Sequence, residues 1–291
     1  MKPAPFSYAA PHSVEECLDL LSRYGTDAKL MAGGQSLMPL LSLRMARPSV
    51  IIDINRIPGL DAWEVTGEGV RIGARVRQRS LERDRALRAE IPLMAEAVQF
   101  IGHPATRSRG TIVGSMCHAD PAAELQVCAI LLGAAFRLRS HSGDRVVSAE
   151  EFFLDALTTA VGEEELVEEV RLPLPVVGAG YSFSEVSRRH GDFAMVSVGC
   201  IVTRDAQGRL DESAVALGGI GSRAQRFRLG DYAPGATAVP ALFADFARHV
   251  AETIEPDADL HASTEYRRAL AAHLVQQGLD VAASRTESGA Q

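Results

Sequence analysis

Met31-Ala32-Gly33-Gly34-Gln35-Ser36-Leu37 sets two adjacent glycines directly after the apolar run Ala28 to Met31, which reads as a strand. Glycines there let the backbone turn through conformations closed to other residues. Successive N–H groups in such a turn can point inward and form a concave anion site, a nest. A second turn of similar make-up, Gly110-Thr111-Ile112-Val113-Gly114-Ser115, lies about 80 residues further on. Two nests on one domain suit a ligand with two phosphates, such as a dinucleotide. A Gly-Gly pair after a strand is more often only a turn, so the case depends on what surrounds it.

Upstream, Ser13-Val14-Glu15-Glu16 is a capping-box pattern. Val14, Cys17, Leu18 and Leu21 follow at helical spacing, and Gly25 stands where a C′ glycine belongs. The pattern predicts an amphipathic helix over 13–24. Downstream, Leu37 to Met45 reads as a short helix ended by Pro48, and Ser49 to Ile54 as a buried strand. Residues 62–66 and 70–74 alternate around Gly67-Glu68-Gly69, a hairpin. Two helices near 80–88 and 92–100 follow, then a break at Ile101-Gly102-His103-Pro104 and a helix from Pro121-Ala122-Ala123-Glu124 to Gly133. Strands are predicted at 134–139 and 166–172. Leu172-Pro173-Leu174-Pro175 is the best linker. Beyond it, three strands (181–186, 194–203, 213–219) precede helices at 240–253 and 264–277. The chain reads as two units: residues 1–176, subdivided near 57/58, then an α+β domain over 177–281. Residues 282–291 read as a disordered tail.

The 291 residues are 46% hydrophobic and 23% charged, so the core can be large and needs no disulfide or metal staple. A net charge of −7 argues against a nucleic-acid partner. Cys17, Cys117, Cys128 and Cys200 form no C-x-x-C pair, so no zinc ribbon or iron–sulfur loop is written here. The N-terminus lacks the apolar region of a signal peptide. The longest apolar run, Val127 to Phe136, is shorter than the roughly 20 residues that span a bilayer. The expectation is a cytoplasmic protein with no integral membrane segment.

No catalytic set stands out. There is no H-E-x-x-H and no G-x-S-x-G. His118-Ala119-Asp120 is more simply a loop than a metal site. Arg188-Arg189 and Asp192 either pair locally to hold a loop at the domain junction or meet a ligand or another subunit. A Rossmann fingerprint needs G-x-G-x-x-G, and Gly33-Gly34-Gln35-Ser36 has the wrong spacing. Asp53 stands at about the right distance for the acid but inside a strand, and no Walker A lysine is present. A dinucleotide would have to bind through another fold.

Ala32-Gly33-Gly34-Gln35-Ser36-Leu37, with Arg44, Pro48 and Ile52-Asp53-Ile54, resembles the first FAD motif of one family. Ile101-Gly102, Arg107, Gly110 to Ser115 and His118 to Leu125 resemble its second. Val167 to Pro173 and Arg188 to Ala194 match as well. The family is the FAD-binding medium subunit of molybdenum hydroxylases, which includes aerobic carbon monoxide dehydrogenase and the xanthine dehydrogenase flavin domain. The resemblance spans Phe6 to about Val275.

It implies an α+β fold: a vanillyl-alcohol-oxidase-type (PCMH) FAD-binding domain of two subdomains, plus a C-terminal flavoprotein domain. It implies that Ala32, Gly33, Gly34, Gln35 and Ser36, with Thr111, Ile112, Val113, Gly114 and Ser115, hold the FAD diphosphate through main-chain N–H groups. Ile101 would lie by the flavin, Asp120 or Glu124 would bond the polyol part, Leu166 or Val167 would contact the ring system, and Asp192 and Phe193 would flank it. There are departures. Relatives usually carry Gly-Gly where Val113-Gly114 stands, so that backbone must avoid positive φ. Many have a lysine where Ser184-Glu185-Val186 stand, and a tyrosine in place of Phe193. The implied function is electron transfer through FAD to an external acceptor, with a quinone or cytochrome preferred. A large partner subunit would carry the molybdenum-pterin, and a small one the 2Fe-2S clusters, in a dimer of heterotrimers. The alternative is a stand-alone FAD oxidase or dehydrogenase using His103, His118 or His190.

Overall fold

A computed structural model describes residues 2–205 and 207–286. The opening glycine turn sits on a three-stranded parallel sheet, in which Val50–Asp53 lies between Ser7–Ala9 and Ala28–Met31. The helix before it runs Val14–Tyr24. Ser13 caps it by accepting from Glu16 N–H, and Gly25 ends it at φ 48°. Glu16 reaches past the cap to accept from His12 N–H at 2.7 Å, so the box is only half closed. Its buried face, Cys17, Leu18 and Leu21, joins the core beside Val50 and Ile52. The helix after the glycine turn is shorter than its apolar run suggests, Leu37–Ser42, because Arg44 adopts φ 59°.

The second sheet is antiparallel, ordered Trp63–Thr66, Gly69–Gly73, Leu166–Leu172, Ala135–Ser140, Gly143–Ser148. Its last strand was not predicted, since Asp144 and Arg145 leave no alternation to read. Between the hairpin and the second glycine-rich stretch run three short helices, not two: Gln78–Arg83, Arg85–Glu90 and Pro92–Ala97. Asp84 separates the first pair by capping Ala86 and Leu87 N–H. A further unpredicted helix, Pro104–Arg109, follows the break at Gly102. Proline at its first position fits a helix start as well as a breaker.

The third sheet is an antiparallel meander: Gly180–Ser187, Ala194–Val202, Ala214–Gly218 and Gln225–Arg228. Helices Pro240–Thr253 and Thr264–Ser284 cover one face with a core of their own. Helix Glu124–Leu132 covers the other. Every residue from Glu124 to Leu131 is buried, because a helix that is apolar apart from Glu124 and Gln126 has neighbours on all sides. Ala282 is fully buried, and Arg285 bonds Tyr181 O and Glu96 Oε1, each at 2.5 Å. Residues 282–286 are therefore ordered against the meander, contrary to the expected tail; residues 287–291 lie outside the described residues. No helix among the described residues is long and apolar enough to cross a membrane.

Candidate functional site

The two glycine stretches touch. A Cβ placed on Gly33 would lie 2.4 Å from the carbonyl oxygen of Arg109 and 2.7 Å from the Cα of Gly110. Only glycine permits that approach. Gly34 follows at φ 71°, and its carbonyl accepts from Met38 N–H at 3.0 Å. Gln35 is exposed and its amide donates back to Gly33 O at 3.2 Å. Ser36 precedes the short helix, and its side chain makes no capping bond. Among the described residues the N–H groups of Gly33, Gly34, Gln35 and Ser36 donate to no acceptor in the chain. Four consecutive free donors in a turn are what a nest requires.

The second stretch is built differently. Residues Ile112–His118 form a helix capped by Thr111, whose hydroxyl accepts from Gly114 N–H at 3.0 Å. Ile112 N–H goes to Val76 O and Ser115 N–H to Thr111 O. It is a helix start, not a glycine turn. Val113 lies within the helix and is buried, so a side chain there demands no unusual φ. Thr111, Ile112 and Val113 face the core, while Gly114 and Ser115 are half-buried.

Asn55 and Arg77 tie the two stretches together, and the sequence reading missed both. Asn55 donates to Ala32 O at 2.6 Å and accepts from Arg77 at 2.6 Å; Arg77 also donates to Arg109 O. Asp53 holds Asn55 from behind and accepts from Tyr8 at 2.6 Å. Burial pushes the Asp53 carboxyl up, but the bonds from Tyr8 and Asn55 outweigh it and hold it below its usual range. This support role replaces the ribose contact tested for Asp53. Burial, with Arg75 and Arg109 nearby, lowers Arg77; a guanidinium stays charged regardless. Beside the free N–H groups lies a cation with no carboxylate bonded to it.

A second cluster gathers round Ile101. Arg107, 6% exposed, donates to Ile101 O at 2.7 Å and Gly102 O at 3.1 Å and pairs with Glu82 at 2.8 Å. Against this turn packs the 188–194 loop: a Cβ on Gly191 would lie 2.9 Å from Gly102 O. That loop is closed by Asp192 N–H to Arg189 O at 3.0 Å. No Arg188 or Arg189 side chain pairs with Asp192 among the described residues, so of the two alternatives the local ion pair is not observed. Asp192 is exposed and Phe193 is 72% exposed, an aromatic ring without a partner. Asp120 turns the chain by accepting from Ala122 N–H at 2.9 Å. Glu124 is 7% exposed; burial, then Glu185 and Asp120, push its carboxyl up to about 8. Leu166 is buried, its side chain committed to the first core. No metal-binding cluster occurs among the described residues, His118 and Asp120 included. Two clefts of about 410 and 580 Å³ lie elsewhere, around Arg226–Arg228 and along the Pro173–Val176 linker.

This order of sheets, with a run of free N–H groups where the first glycine turn rests on Arg109 and Gly110, describes an α+β protein with a candidate anion site. Residues 4–175 match the family described as the FAD binding domain in molybdopterin dehydrogenase, and residues 181–282 match the CO dehydrogenase flavoprotein C-terminal domain. The chain belongs to the family of FAD-binding medium subunits of molybdenum hydroxylases, and is thus an oxidoreductase subunit. It is 37% identical to the 6-hydroxypseudooxynicotine dehydrogenase complex subunit alpha of Paenarthrobacter nicotinovorans, over 98% of this chain and 97% of that one. It is 36% identical to the caffeine dehydrogenase subunit beta of Pseudomonas sp. strain CBB1, over 98% and 97%. Carbon monoxide dehydrogenase of Hydrogenophaga pseudoflava superposes with a TM-score of 0.94 at 35% identity, covering 99% and 100%. The expected α+β, PCMH-type fold with a C-terminal flavoprotein domain is the one observed.

Proposed function

We propose that this chain relays electrons through FAD, from molybdenum and iron–sulfur centres on partner subunits to an external acceptor. The observation that carries the reading is the run of four free N–H groups from Gly33 to Ser36, closed underneath by the Gly33–Arg109 contact. Those donors fit a diphosphate. Gly114 and Ser115 border it, and Arg77 supplies positive charge. Ile101, Asp192 and Phe193 form the flavin side of the site, with Asp120 and Glu124 toward the polyol. The buried side chains of Thr111, Ile112, Val113 and Leu166 shape the wall and contact FAD through backbone only. When bound, FAD supplies the redox chemistry; the protein binds, orients and tunes it.

The relatives are medium chains of multi-subunit dehydrogenases, which supports a large and a small partner. We further propose a dimer of heterotrimers in the cytoplasm, a quinone or cytochrome acceptor, and unit boundaries near 57/58 and 176/177. Isolation from the native host tests the core of this. The chain is expected to co-purify with a molybdenum-containing large chain and an iron–sulfur small chain, and to show an FAD spectrum. A lone active polypeptide without those partners would overturn it.

A further inference from the structure

Strand register places Glu185 opposite Ser197, and Ser197 opposite Gly218. Directly opposed residues of an antiparallel pair share a face, so the three form a row across the meander. The row faces the start of helix Glu124–Leu132. A Cβ on Gly218 would lie 2.7 Å from Val127 Cγ2, 2.8 Å from Ser197 Oγ and 3.3 Å from Pro121 O. Glu124 opens that helix inside the same seam between the FAD-binding part and the meander.

Two polar atoms in this seam are unsatisfied among the described residues. Among the described residues, fully buried Ser197 Oγ and buried Glu185 Oε2 have no hydrogen-bond partner. Arg107, from helix Pro104–Arg109, is the cation that acts on Glu124. It is already engaged by Glu82 and by the Ile101 and Gly102 carbonyls. The other charged neighbours are Asp120 on the same segment and Glu96 from helix Pro92–Ala97, which Arg285 and Phe183 N–H hold. Cys128 lies one turn on. An unpaired buried carboxylate is far costlier than a buried carboxylic acid. Two carboxyls in one apolar seam, without a free cation, reduce that cost by retaining a proton.

We propose that Glu124 and Glu185 are a proton-holding pair, and that Glu124 meets bound FAD as a neutral carboxylic acid. The proposal rests on the FAD-binding reading of Glu124. An acid both donates and accepts, so it can satisfy a polyol hydroxyl in either sense. It also avoids repelling the dianionic diphosphate. Burial independently pushes Glu185 up to about 7, in line with Glu124. A bound anion makes the pair harder to ionise, so the loaded protein holds the proton more tightly than the empty one. FAD affinity is therefore greatest at low pH and falls as pH rises through the empty pair's titration. One linked proton limits the fall to roughly tenfold per pH unit.

The test is titration of the FAD-stripped full chain with FAD, at fixed ionic strength, between about pH 6 and about pH 9. Wild type is expected to weaken through the upper half of the range. Glu124→Gln, which cannot ionise, is expected to lose the slope across the range, and Glu185→Gln to flatten the profile as well. A flat wild-type profile with tight binding sinks this proposal alone. So does a Glu124→Gln protein that keeps its circular dichroism but loses affinity by the same factor at every pH. Failure to bind FAD at any pH overturns the FAD reading together with it.

Discussion

Gly33→Ala adds one methyl group at the point where the two glycine stretches meet, the junction proposed to hold the FAD diphosphate. Its Cβ would lie 2.4 Å from Arg109 O, 2.7 Å from Gly110 Cα and 3.0 Å from Arg109 C. Comfortable contacts begin near 3.5 Å, so the two stretches must part by about 1 Å. All three atoms are backbone, and none can rotate aside. Overpacking of this kind costs about 1–3 kcal/mol of stability. The larger effect falls on the diphosphate. Hydrogen bonds to a charged group contribute about 1.5–3 kcal/mol each, and losing the alignment of one or two costs about 3 kcal/mol, roughly a hundredfold in FAD affinity. Fluorescence titration of the FAD-stripped chain measures it, with circular dichroism and a melting curve as folding controls. Gly59→Ala is the matched control: Gly59 has φ +82° and no atom within 4 Å of an added Cβ. It carries backbone strain of about 1–2 kcal/mol and is expected to bind FAD normally. A Gly33→Ala protein with wild-type FAD affinity would refute the assignment of the diphosphate to this junction.

Two further outcomes follow from the ties around the site and the sheet beside it. Asn55→Ala removes the link from Ala32 O to Arg77, and is expected to weaken FAD roughly tenfold, the worth of one net hydrogen bond, with a smaller change in melting temperature; unchanged affinity would show that the turns hold each other unaided. Glu169, 4% exposed in its side chain, is bonded by Arg71 and Arg171. Burial pushes its carboxyl up, but the two arginines outweigh burial and hold it below its usual range. Its stabilisation is therefore present above the unfolded-state pKa of about 4.3 and lost as pH falls further. Arg71 and Arg171 are partly exposed and also pair with Glu64 and Glu68, so Glu169→Gln is expected to cost about 1.5 kcal/mol at neutral pH, the worth of a charge-assisted hydrogen bond, and to flatten the acid limb of the urea-denaturation midpoint against pH; an unaltered acid limb would rule this out.

The local grammar of the chain was readable. Ser13 as a cap, Gly25 as a stop and the hairpin at 63–73 depend on residues within one or two turns of each other. So does the glycine pair after Ala28–Met31, which is why that turn could be placed from residues alone, while its link to FAD came from the resemblance. Where local signals were ambiguous, the reading slipped. Pro104 served equally as breaker and helix start. Gly110 and Gly114 looked like a second nest, but Thr111 turned that segment into a helix by taking Gly114 N–H. The strand Gln225–Arg228 carries alternating charge with little apolar content and gave no period-2 signal.

Residue types and short-range spacing were enough to place most helices and strands, the main glycine turn and an α+β organisation, because turns, caps and amphipathic faces are local and each leaves a pattern; the family and its FAD-binding fold came from the resemblance of whole ordered motifs. They could not show that Gly33 rests on Arg109 O, that Asn55 and Arg77 bind the two stretches together, or that Glu124, Glu185 and Ser197 share one seam. Those relations join residues far apart in the chain, and nothing in the side chains concerned marks them beforehand. Asn55 and Arg77 lie in no motif of the sequence, and Glu185 stood out only as a position where many relatives carry lysine. Their roles come from what lies opposite them after the three sheets pack, since burial and the presence or absence of a partner are properties of the assembled chain.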